Sequence, residues 1–340
     1  MNILITGGIG FIGTNTAKFF SEKYPHDNIF IVDNFSRKGV SINAEHLRDN
    51  YRNITIRACH IADIDAYLDL IKKVDVIIHL AGQTAVTTSI TDPVLDFETN
   101  VVGSFRLLEA VRTHNPRAII LYSSTNKVYG DLSHHNLLKN EEKRIYENLT
   151  CPNGVDESEP LAFISPYGCS KGSMDEYMKD YSRIYGVKTI IFRQSCIYGR
   201  FQMGVEDQGW VAHFSKQFLK NQPIVVYGDG LQVRDLLFVD DLVLAYDKAI
   251  NQADKNCGKA FNIGGGVKNS YSLIQVIDIL SKKIGITVPI SYTETRVGDQ
   301  NYFVSKNEKV EKDLDWKVQT SFEDGIDKMI DWQKEYISVI

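Results

Sequence analysis

The scarcity of cysteine and the absence of metal-binding spacings argue against several functional classes. It contains only five cysteines, an odd and scattered set without a Cys-x-x-Cys pair: Cys59, Cys151, Cys169, Cys196 and Cys257. Neither a disulfide framework nor a zinc or redox motif is therefore expected, and the five are predicted to be reduced thiols. The eight histidines show no His-Glu-x-x-His spacing, so the sequence predicts no metal site.

Surplus positive charge and long apolar segments are also absent. The net charge of −5 argues against a nucleic-acid or anionic-membrane partner, because such binding relies on excess Lys and Arg. Apolar stretches such as residues 74–81 are too short to span a bilayer. The first six residues run directly into a glycine turn, without the segments of a signal peptide. We therefore expect a cytoplasmic protein.

Short apolar strands alternate with helices along the first half of the 340 residues. Strands are predicted at 2–6, 28–32, 75–80, 118–122 and 188–192, and helices at 11–23, 94–114 and 165–185. This alternation predicts an α/β fold with a doubly wound parallel Rossmann sheet. Within 94–114, apolar residues recur at helical spacing and are predicted to face the core: Val94, Phe97, Val101, Phe105, Leu108 and Val111.

The amino-acid composition changes after residue 193, where glycine, aromatic and mixed polar residues become more frequent. We predict a first domain over 1–193, with 235–265 returning to it. Residues 194–234 and 266–340 are predicted to form a smaller, partly discontinuous α/β substrate lobe. Residues 131–160 are a long polar excursion, for which a functional loop and a flexible surface insertion are equally good interpretations.

A glycine-rich turn opens the chain. Gly8, Gly10 and Gly13 lie between the first predicted strand and helix, and Asp33 follows twenty residues later, at the end of the next strand. Such glycines permit a tight turn and close approach to a pyrophosphate, while an acidic residue accepts hydrogen bonds from the ribose. The pattern predicts a dinucleotide cofactor. Asp33 would repel a 2'-phosphate and favours NAD over NADP, whereas Arg37 could bind that phosphate.

Further residues are expected along the cofactor's path at the carboxyl edge of the sheet. Asp63 is predicted to reach the adenine amine, with a helix N-cap as an equally good interpretation. The full predicted cofactor set is Gly7, Gly8, Gly10, Phe11, Ile12, Gly13, Asp33, Asn34, Ser36, Arg37, Asp63, Ile64, Leu80, Ala81, Gly82, Gln83, Asn100, Tyr167 and Lys171.

Tyr167 and Lys171 are spaced to share one face of a predicted helix. A phenol has a pKa near 10, so a base that works near pH 7 requires roughly 4 kcal/mol of stabilisation of its anion. A lysine ammonium one turn away supplies part of it, and an oxidised nicotinamide would supply more. Thr125 follows another predicted strand, and its hydroxyl is expected at the same edge, although an ordinary hydroxyl-rich turn has the same pattern. The three residues are the candidate catalytic group.

With these motifs, nearly the whole chain resembles the extended short-chain dehydrogenases/reductases that act on nucleotide sugars. The segments that carry the resemblance are Thr6-Gly-Gly-Ile-Gly-Phe-Ile-Gly13, His79-Leu-Ala-Gly82, Ser123-Ser-Thr125, Tyr167-Gly-Cys-Ser-Lys171, Gly228-Asp-Gly-Leu-Gln-Val-Arg-Asp235 and Arg296-Val-Gly-Asp299. Three others are similar to the 2-epimerases of CDP-deoxyhexoses: Ala81-Gly-Gln-Thr-Ala-Val-Thr-Thr-Ser-Ile90, Ser124-Thr-Asn-Lys-Val-Tyr-Gly130 and Asp207-Gln-Gly-Trp210.

The resemblance implies NAD-dependent inversion at C2, from CDP-paratose to CDP-tyvelose for O-antigen, through a transient 2-keto sugar. It also implies a homodimer or homotetramer. Carried over to this chain, the substrate-binding set is Thr125, Asn126, Gln194, Gln208, Trp210, Arg234, Arg296 and Asp299. The two arginines suit phosphate oxygens, but either one could instead be a structural ion-pair partner of Asp235 or Asp299.

Three other functions stay open at this level. A UDP-hexose 4-epimerase needs only a different sugar pose. A nucleotide-sugar 4,6-dehydratase needs an acid and a base for the elimination of water, and the family's Asp-Glu pair is replaced by Asn126-Lys127. From another class, a catalytically silent NAD-sensing protein is disfavoured because Thr125, Tyr167 and Lys171 are present together.

Overall fold

Seven parallel strands form the main sheet of the computed structural model, which describes residues 1–296 and 298–338. They are β1 (Asn2–Thr6), β2 (Asn28–Asp33), β3 (Ile54–Ala58), β4 (Val76–His79), β5 (Ile119–Thr125), β8 (Lys188–Gln194) and β12 (Lys259–Ile263). Their order is β12-β8-β5-β4-β1-β2-β3, so the strand order reverses between β1 and β4. In such sheets the ligand site lies at that reversal, outside the carboxyl ends of the strands.

Helices cover both faces of this sheet. The bounds of the helices are α1 (Phe11–Lys23), α2 (Val40–Asn50), α3 (Leu68–Ile71), α4 (Val86–Thr91), α5 (Pro93–Phe97), α6 (Ser104–His114), α7 (Ser165–Tyr185), α8 (Trp210–Leu219), α9 (Val239–Asn251), α10 (Ala253–Asn256), α11 (Leu273–Ile284), α12 (Glu308–Leu314) and α13 (Phe322–Tyr336). One buried cluster joins α1, α2 and α9 to the sheet, and a second joins α6 and α7 to its other face. The predicted doubly wound α/β Rossmann fold is confirmed.

The remaining strands form three small sheets. They are β6 (Leu137–Asn140), β7 (Ile145–Asn148), β9 (Cys196–Tyr198), β10 (Ile224–Tyr227), β11 (Val233–Phe238), β13 (Ser270–Ser272), β14 (Ile290–Thr293) and β15 (Tyr302–Phe303). β11 pairs with β9, β13 and β15, β10 pairs with β14, and β6 and β7 form a hairpin inside the polar excursion.

The return of 235–265 to the first domain needs a correction. Residues 259–263 lie in the main sheet as β12, next to β8. Residues 235–238 instead belong to β11 of a separate sheet, although Leu237 packs in the core cluster of the main sheet. A short apolar strand does not specify which sheet it joins, because its pattern shows burial alone. The two-domain division stays a prediction, and Val297 and residues 339–340 within it lie outside the described residues.

The predicted helix over 94–114 is present, but the predicted core-facing stripe is wrong in its first half. The chain forms α5, then a π-helical segment at Glu98–Gly103, then α6. Leu108 and Val111 are buried as predicted, whereas Val94 and Phe97 are 64% and 56% exposed. The wider π turn rotates the preceding residues relative to the following ones, so a stripe drawn at constant helical spacing does not stay on one face.

A buried ion pair joins β8 to α7. The Arg193 guanidinium donates to both carboxylate oxygens of Asp175 at 2.9 Å, and to the Tyr129 hydroxyl at 3.0 Å. Ser124 on β5 donates to the same carboxylate at 2.7 Å. Because both charges are buried, the fork geometry and these extra hydrogen bonds are needed to offset their loss of water.

No helix within residues 1–296 and 298–338 has both the length and the apolar character that a bilayer crossing needs.

We predict that Arg193→Leu lowers the free energy of unfolding by about 3–5 kcal/mol, because it leaves the Asp175 carboxylate buried without its cation. Urea denaturation followed by circular dichroism measures this loss. Arg183→Leu is the matched control, since Arg183 is 76% exposed and pairs with Asp180 on the same helix. Equal stability of the two variants would contradict the interpretation.

Candidate active site

A cavity of about 480 Å³ opens at the carboxyl edge of the main sheet, beside the strand reversal. Most of the predicted cofactor residues line it: Gly7, Gly10, Phe11, Ile12, Gly13, Asp33, Asn34, Ser36, Arg37, Leu80, Ala81, Gly82 and Gln83. Of the predicted substrate residues, Gln208 also lines it. The cavity therefore joins the glycine turn to the loops that follow β2 and β4.

The glycine turn packs too closely against neighbouring backbone for any side chain, so its backbone faces the cavity directly. Gly7 has a φ of +69°, and a Cβ there would lie 2.7 Å from the backbone nitrogen of Ala81. A Cβ on Gly13 would lie 2.4 Å from the carbonyl oxygen of Gly7. α1 begins directly after Gly10, so its first N–H groups face this space. Such a cradle at a helix N-terminus fits a pyrophosphate.

Asp33 is held at the end of β2 by backbone donors. One carboxylate oxygen accepts from Phe35 N at 2.9 Å and the other accepts from Ile9 N at 3.3 Å. Burial raises the pKa of this carboxyl, while the backbone hydrogen bonds oppose that shift. Arg37 donates instead to Thr84 and Gln208, at 2.8 and 2.7 Å. Its guanidinium thus bridges two loops across the cavity.

Asp63 and Ile64 do not line the cavity and belong to a shallower depression beside it. Asp63 sits at the N-cap position of a short 3-10 helix, but its side chain accepts no capping hydrogen bond. Cys59, His60 and Ile61 line the cavity in their place. These three residues were not predicted from the sequence, although their position directly after the third strand could have indicated that they line the cavity.

The candidate catalytic group comes together beside the cavity, although none of its three residues is part of the cavity lining. Thr125 is the last residue of β5, and Tyr167 and Lys171 lie on the first turns of α7. All three are buried. Burial raises the pKa of Tyr167 to about 12, and a hydrogen bond with Thr125 acts in the opposite direction. The protein alone therefore does not make this phenol acidic. A positively charged nicotinamide beside it would lower that pKa.

Lys171 carries its charge in a dry environment. Burial lowers the pKa of this ammonium to about 8, while the carboxylates of Asp96 and Asp175 favour the charged form. Its Nζ lies 4.4 Å from the centre of the Tyr122 ring, a distance at which a cation is attracted to the ring face. A Cβ on Gly82 would lie 4.0 Å from this nitrogen, so the lysine reaches the turn after β4.

Asn100 links the turn after β4 to α7 without lining the cavity. It accepts from Gln83 N at 2.8 Å and donates to Gln83 O at 3.0 Å. It also donates to Ser170 Oγ at 3.1 Å. Asn100 thus supports the cofactor loop from behind.

Arg234 and Asp299 form an ion pair close to Thr125. The Arg234 guanidinium donates to Asp299 at 2.7 Å and to the carbonyl oxygen of Gln300 at 2.6 Å. Lys127 contacts the same carboxylate at 3.3 Å. Burial alone would raise the pKa of Asp299, but the two cations bring it down to about 2. The pair of Arg234 with Asp299, an alternative left open by the sequence, is therefore present. Asp235 is not its partner.

Asn126 and Gln194 lie on either side of Thr125. Asn126 donates to Gln300 at 3.2 Å, which holds the loop that carries Asp299. Gln194 ends β8 directly opposite Thr125, and its amide nitrogen donates to Ser123 and Tyr246. Lys127, which the sequence analysis did not include, is the third member of this group, and its place beside Thr125 in the chain was the available signal.

Arg296 contacts two residues that precede α8 and one residue of β10. It pairs with Asp207 at 3.2 Å, donates to the carbonyl oxygen of Glu206 at 3.1 Å and stacks on the Tyr227 ring at 3.8 Å. Trp210 begins α8 nearby and packs against Phe214. The structure thus divides the predicted substrate residues into a group around Thr125 and a group around Arg296.

His134, His135 and Glu159 place three potential metal ligands within 4.8 Å of one another. Asn148 accepts two backbone N–H bonds with its oxygen, which orients its nitrogen toward His135 Nδ1. His135 Nε2 must then carry the proton and donate to Glu159. This proton occupies the position that a metal needs, so the cluster is a set of hydrogen bonds that joins Glu159 to the start of the polar excursion.

Residues 3–264 match the model of the NAD dependent epimerase/dehydratase family. The chain belongs to this family. It is 42% identical over 339 residues to CDP-paratose 2-epimerase of Salmonella typhi, covering 98% of this chain and 99% of that protein.

Two solved structures have the same fold over nearly the whole chain. UDP-glucose 4-epimerase of Thermotoga maritima, with UDP-glucose, superposes with a TM-score of 0.84 at 28% identity, covering 99% of this chain and 100% of that one. dTDP-glucose 4,6-dehydratase of Bacillus anthracis, in complex with NAD, superposes with a TM-score of 0.82 at 28% identity, covering 98% and 97%. NAD is the cofactor of the family, and the cradle and Asp33 described above fit it.

We predict that Asp33→Asn narrows the preference for NAD over NADP by roughly tenfold, because the amide keeps the shape of the carboxylate but no longer repels a 2'-phosphate. Incubation of the cofactor-stripped protein with equal amounts of both dinucleotides, followed by chromatography of the bound fraction, measures the ratio. Asp65→Asn, an exposed carboxylate outside the cavity, should leave the ratio unchanged. An unchanged ratio in Asp33→Asn would refute the assignment.

Proposed function

We propose that the protein is an isomerase that inverts C2 of a CDP-deoxyhexose, from CDP-paratose to CDP-tyvelose, without net oxidation. The observation that carries this proposal is the buried group of Thr125, Tyr167 and Lys171 beside an NAD-type cavity, with Lys171 close to Gly82 of the cavity lining. The 42% identity to a protein named for this reaction supports the choice of substrate. A place in O-antigen assembly, where such a sugar is used, is part of the proposal.

The chain's own residues supply proton transfer and orientation. NAD, when bound, provides a carbon that takes a hydride from the sugar and returns it to the other face. The Tyr167 oxygen takes the proton of the sugar hydroxyl and later returns it. The Thr125 hydroxyl, at the end of β5, orients the same sugar oxygen. The Lys171 ammonium stabilises the Tyr167 phenolate that must be present before the proton is taken, an effect made strong by burial.

The nucleotide has to stay anchored while the sugar ring turns over. Arg234 and Arg296 lie in the two groups of polar residues described above, and a guanidinium pairs with phosphate oxygens through two parallel hydrogen bonds. We assign them to the diphosphate. Gln208 bonds Arg37 at 2.7 Å and is assigned to the boundary between cofactor and substrate. Burial of the catalytic group also keeps water from the ketone.

Inversion at C4 of a UDP-hexose is the second candidate, because the same catalytic group serves either carbon. The fold of the Thermotoga maritima 4-epimerase supports it. A dehydratase is disfavoured because Asn126 and Lys127 occupy the positions of the eliminating acid and base. A silent NAD-binding protein is disfavoured because Thr125, Tyr167 and Lys171 are all present and all buried.

We also propose a homodimer or homotetramer in the cytoplasm. Exposed apolar side chains concentrate on α5 and α7, at Val94, Leu95, Phe97, Tyr177, Ile184 and Tyr185. Covering these surfaces with a second copy would remove apolar area from water. All five cysteines are free thiols, as expected in a reducing compartment.

We predict that the purified protein interconverts CDP-paratose and CDP-tyvelose without added NAD, because no net redox change occurs and the cofactor stays bound. Proton NMR of the sugar ring follows the reaction, with UDP-glucose and UDP-galactose tested in parallel. Turnover of the UDP-hexoses alone would favour the 4-epimerase, and turnover of none would contradict both.

We predict that Tyr167→Phe lowers kcat by roughly 10²–10⁴-fold, because the ring keeps its packing while the proton acceptor is lost. Absorbance of the extracted cofactor should show wild-type NAD content. Tyr177→Phe is the control, since Tyr177 is an exposed tyrosine on the same helix. Normal turnover by Tyr167→Phe would show that another group takes the proton.

A further inference from the structure

Asp96, a carboxylate that the proposed mechanism does not use, lies on α5, which packs against the helix that carries the catalytic lysine. Asp96 is on α5, where the chain enters the π-helical segment, and it is 1% exposed. Its Oδ1 accepts from Asn100 at 3.1 Å, whereas Oδ2 is buried without a hydrogen-bond partner among the described residues. A buried, half-satisfied carboxylate is costly, so a compensating charge is expected near it.

Asp96 and Asn100 face the same site because they lie four residues apart in a continuous helical segment. Four residues apart, they hydrogen-bond to each other, and the amide of Asn100 reaches both Gln83 and Ser170. An amide nitrogen has two protons, so its orientation depends on the acceptors around it. Asp96 therefore fixes the amide that joins the turn after β4 to the residue preceding Lys171.

The charge of Lys171 has two carboxylates near it, and they are not equivalent. Asp175 is already paired with Arg193 through two hydrogen bonds of 2.9 Å. Asp96 has no Lys or Arg within 4.0 Å in the described part of the chain. Burial raises the pKa of Asp96 and the Lys171 charge opposes that shift, so the two buried groups favour each other's charged form through space, without a direct ion pair.

The other titratable groups around this site do not replace Asp96. Burial and the nearby Lys171 lower the pKa of His79 to about 3, so this imidazole is neutral. Burial raises the pKa of Tyr122 well above its usual value, so its ring faces the ammonium uncharged. α4 carries no titratable residue, and Glu98 in the π-helical segment is exposed. Tyr167 is the remaining neighbour.

We propose that Asp96 is a positioning residue, whose carboxylate keeps Lys171 charged beside Tyr167 and fixes the Asn100 amide between the cofactor loop and α7. It touches neither sugar nor cofactor in this role. The inference deepens the proposed function, because it assigns the element that keeps the catalytic cation in place.

Titration of Lys171 in the NAD-bound protein tests this role directly. The ¹³Cε shifts of labelled lysines are followed against pH, and the Lys171 signal is the one lost in Lys171→Arg. In Asp96→Asn the midpoint should fall by roughly one pH unit, the order expected for removal of a unit charge several ångströms away. Asp96→Glu, which keeps the charge, should restore the midpoint toward that of the wild type.

Glu98→Gln is the matched control, because it removes the same charge from an exposed position two residues away and should leave the midpoint unchanged. If Asp96→Asn does not fold, Asp96→Ser removes the carboxylate instead. An unchanged Lys171 midpoint in a folded variant overturns the inference.

The readout separates this inference from the proposed function. A lowered midpoint in a protein that epimerises no nucleotide sugar would contradict the proposed reaction and support the role of Asp96. Epimerisation with a pH profile displaced to lower pH in Asp96→Asn would support both, because loss of the carboxylate favours deprotonation of both Lys171 and Tyr167.

Discussion

The candidate site depends on holding the Lys171 ammonium in a place that water does not reach. Removing a charge from water is costly, and the protein offsets that cost with a ring face at 4.4 Å and with carboxylates on two different elements. The same burial raises the pKa of Tyr167. Low dielectric therefore both strengthens the field of the lysine and opposes the phenolate that the field has to stabilise.

This opposition assigns different parts to protein and cofactor. The protein positions Tyr167 through Thr125 and keeps a cation near it, but burial dominates the pKa of the phenol in the protein alone. A cationic nicotinamide in the adjacent cavity would shift the balance. Coupling of this kind would increase the fraction of Tyr167 present as phenolate, the form that accepts a proton, when the oxidised cofactor is present, which is when the sugar must lose its proton.

Two other carboxylates near the site are already paired with cations, so they have little influence on whether Tyr167 is a phenol or a phenolate. Asp175, which could neutralise Lys171, is committed to Arg193, Ser124 and the junction between α7 and the sheet. Asp299 is likewise committed to Arg234 and Lys127. Such fixed pairs position the walls of the site, while Asp96 remains available to the catalytic cation.

The sequence by itself determined the elements whose pattern is local. Gly7 to Gly13, Asp33 and the apolar strands could be recognised because a tight turn, a helix start and a buried strand each require particular residues at short spacing. The spacing of Tyr167 and Lys171 was informative for the same reason.

Only the tertiary structure decided which distant residues meet. The sheet to which β11 belongs, the turn of the π-helical segment that exposes Val94, the bonding of Arg37 to Gln208 and the place of Asp96 behind Lys171 all depend on contacts between separate elements. Periodicity reports how much of a segment is buried, whereas packing decides what it is buried against.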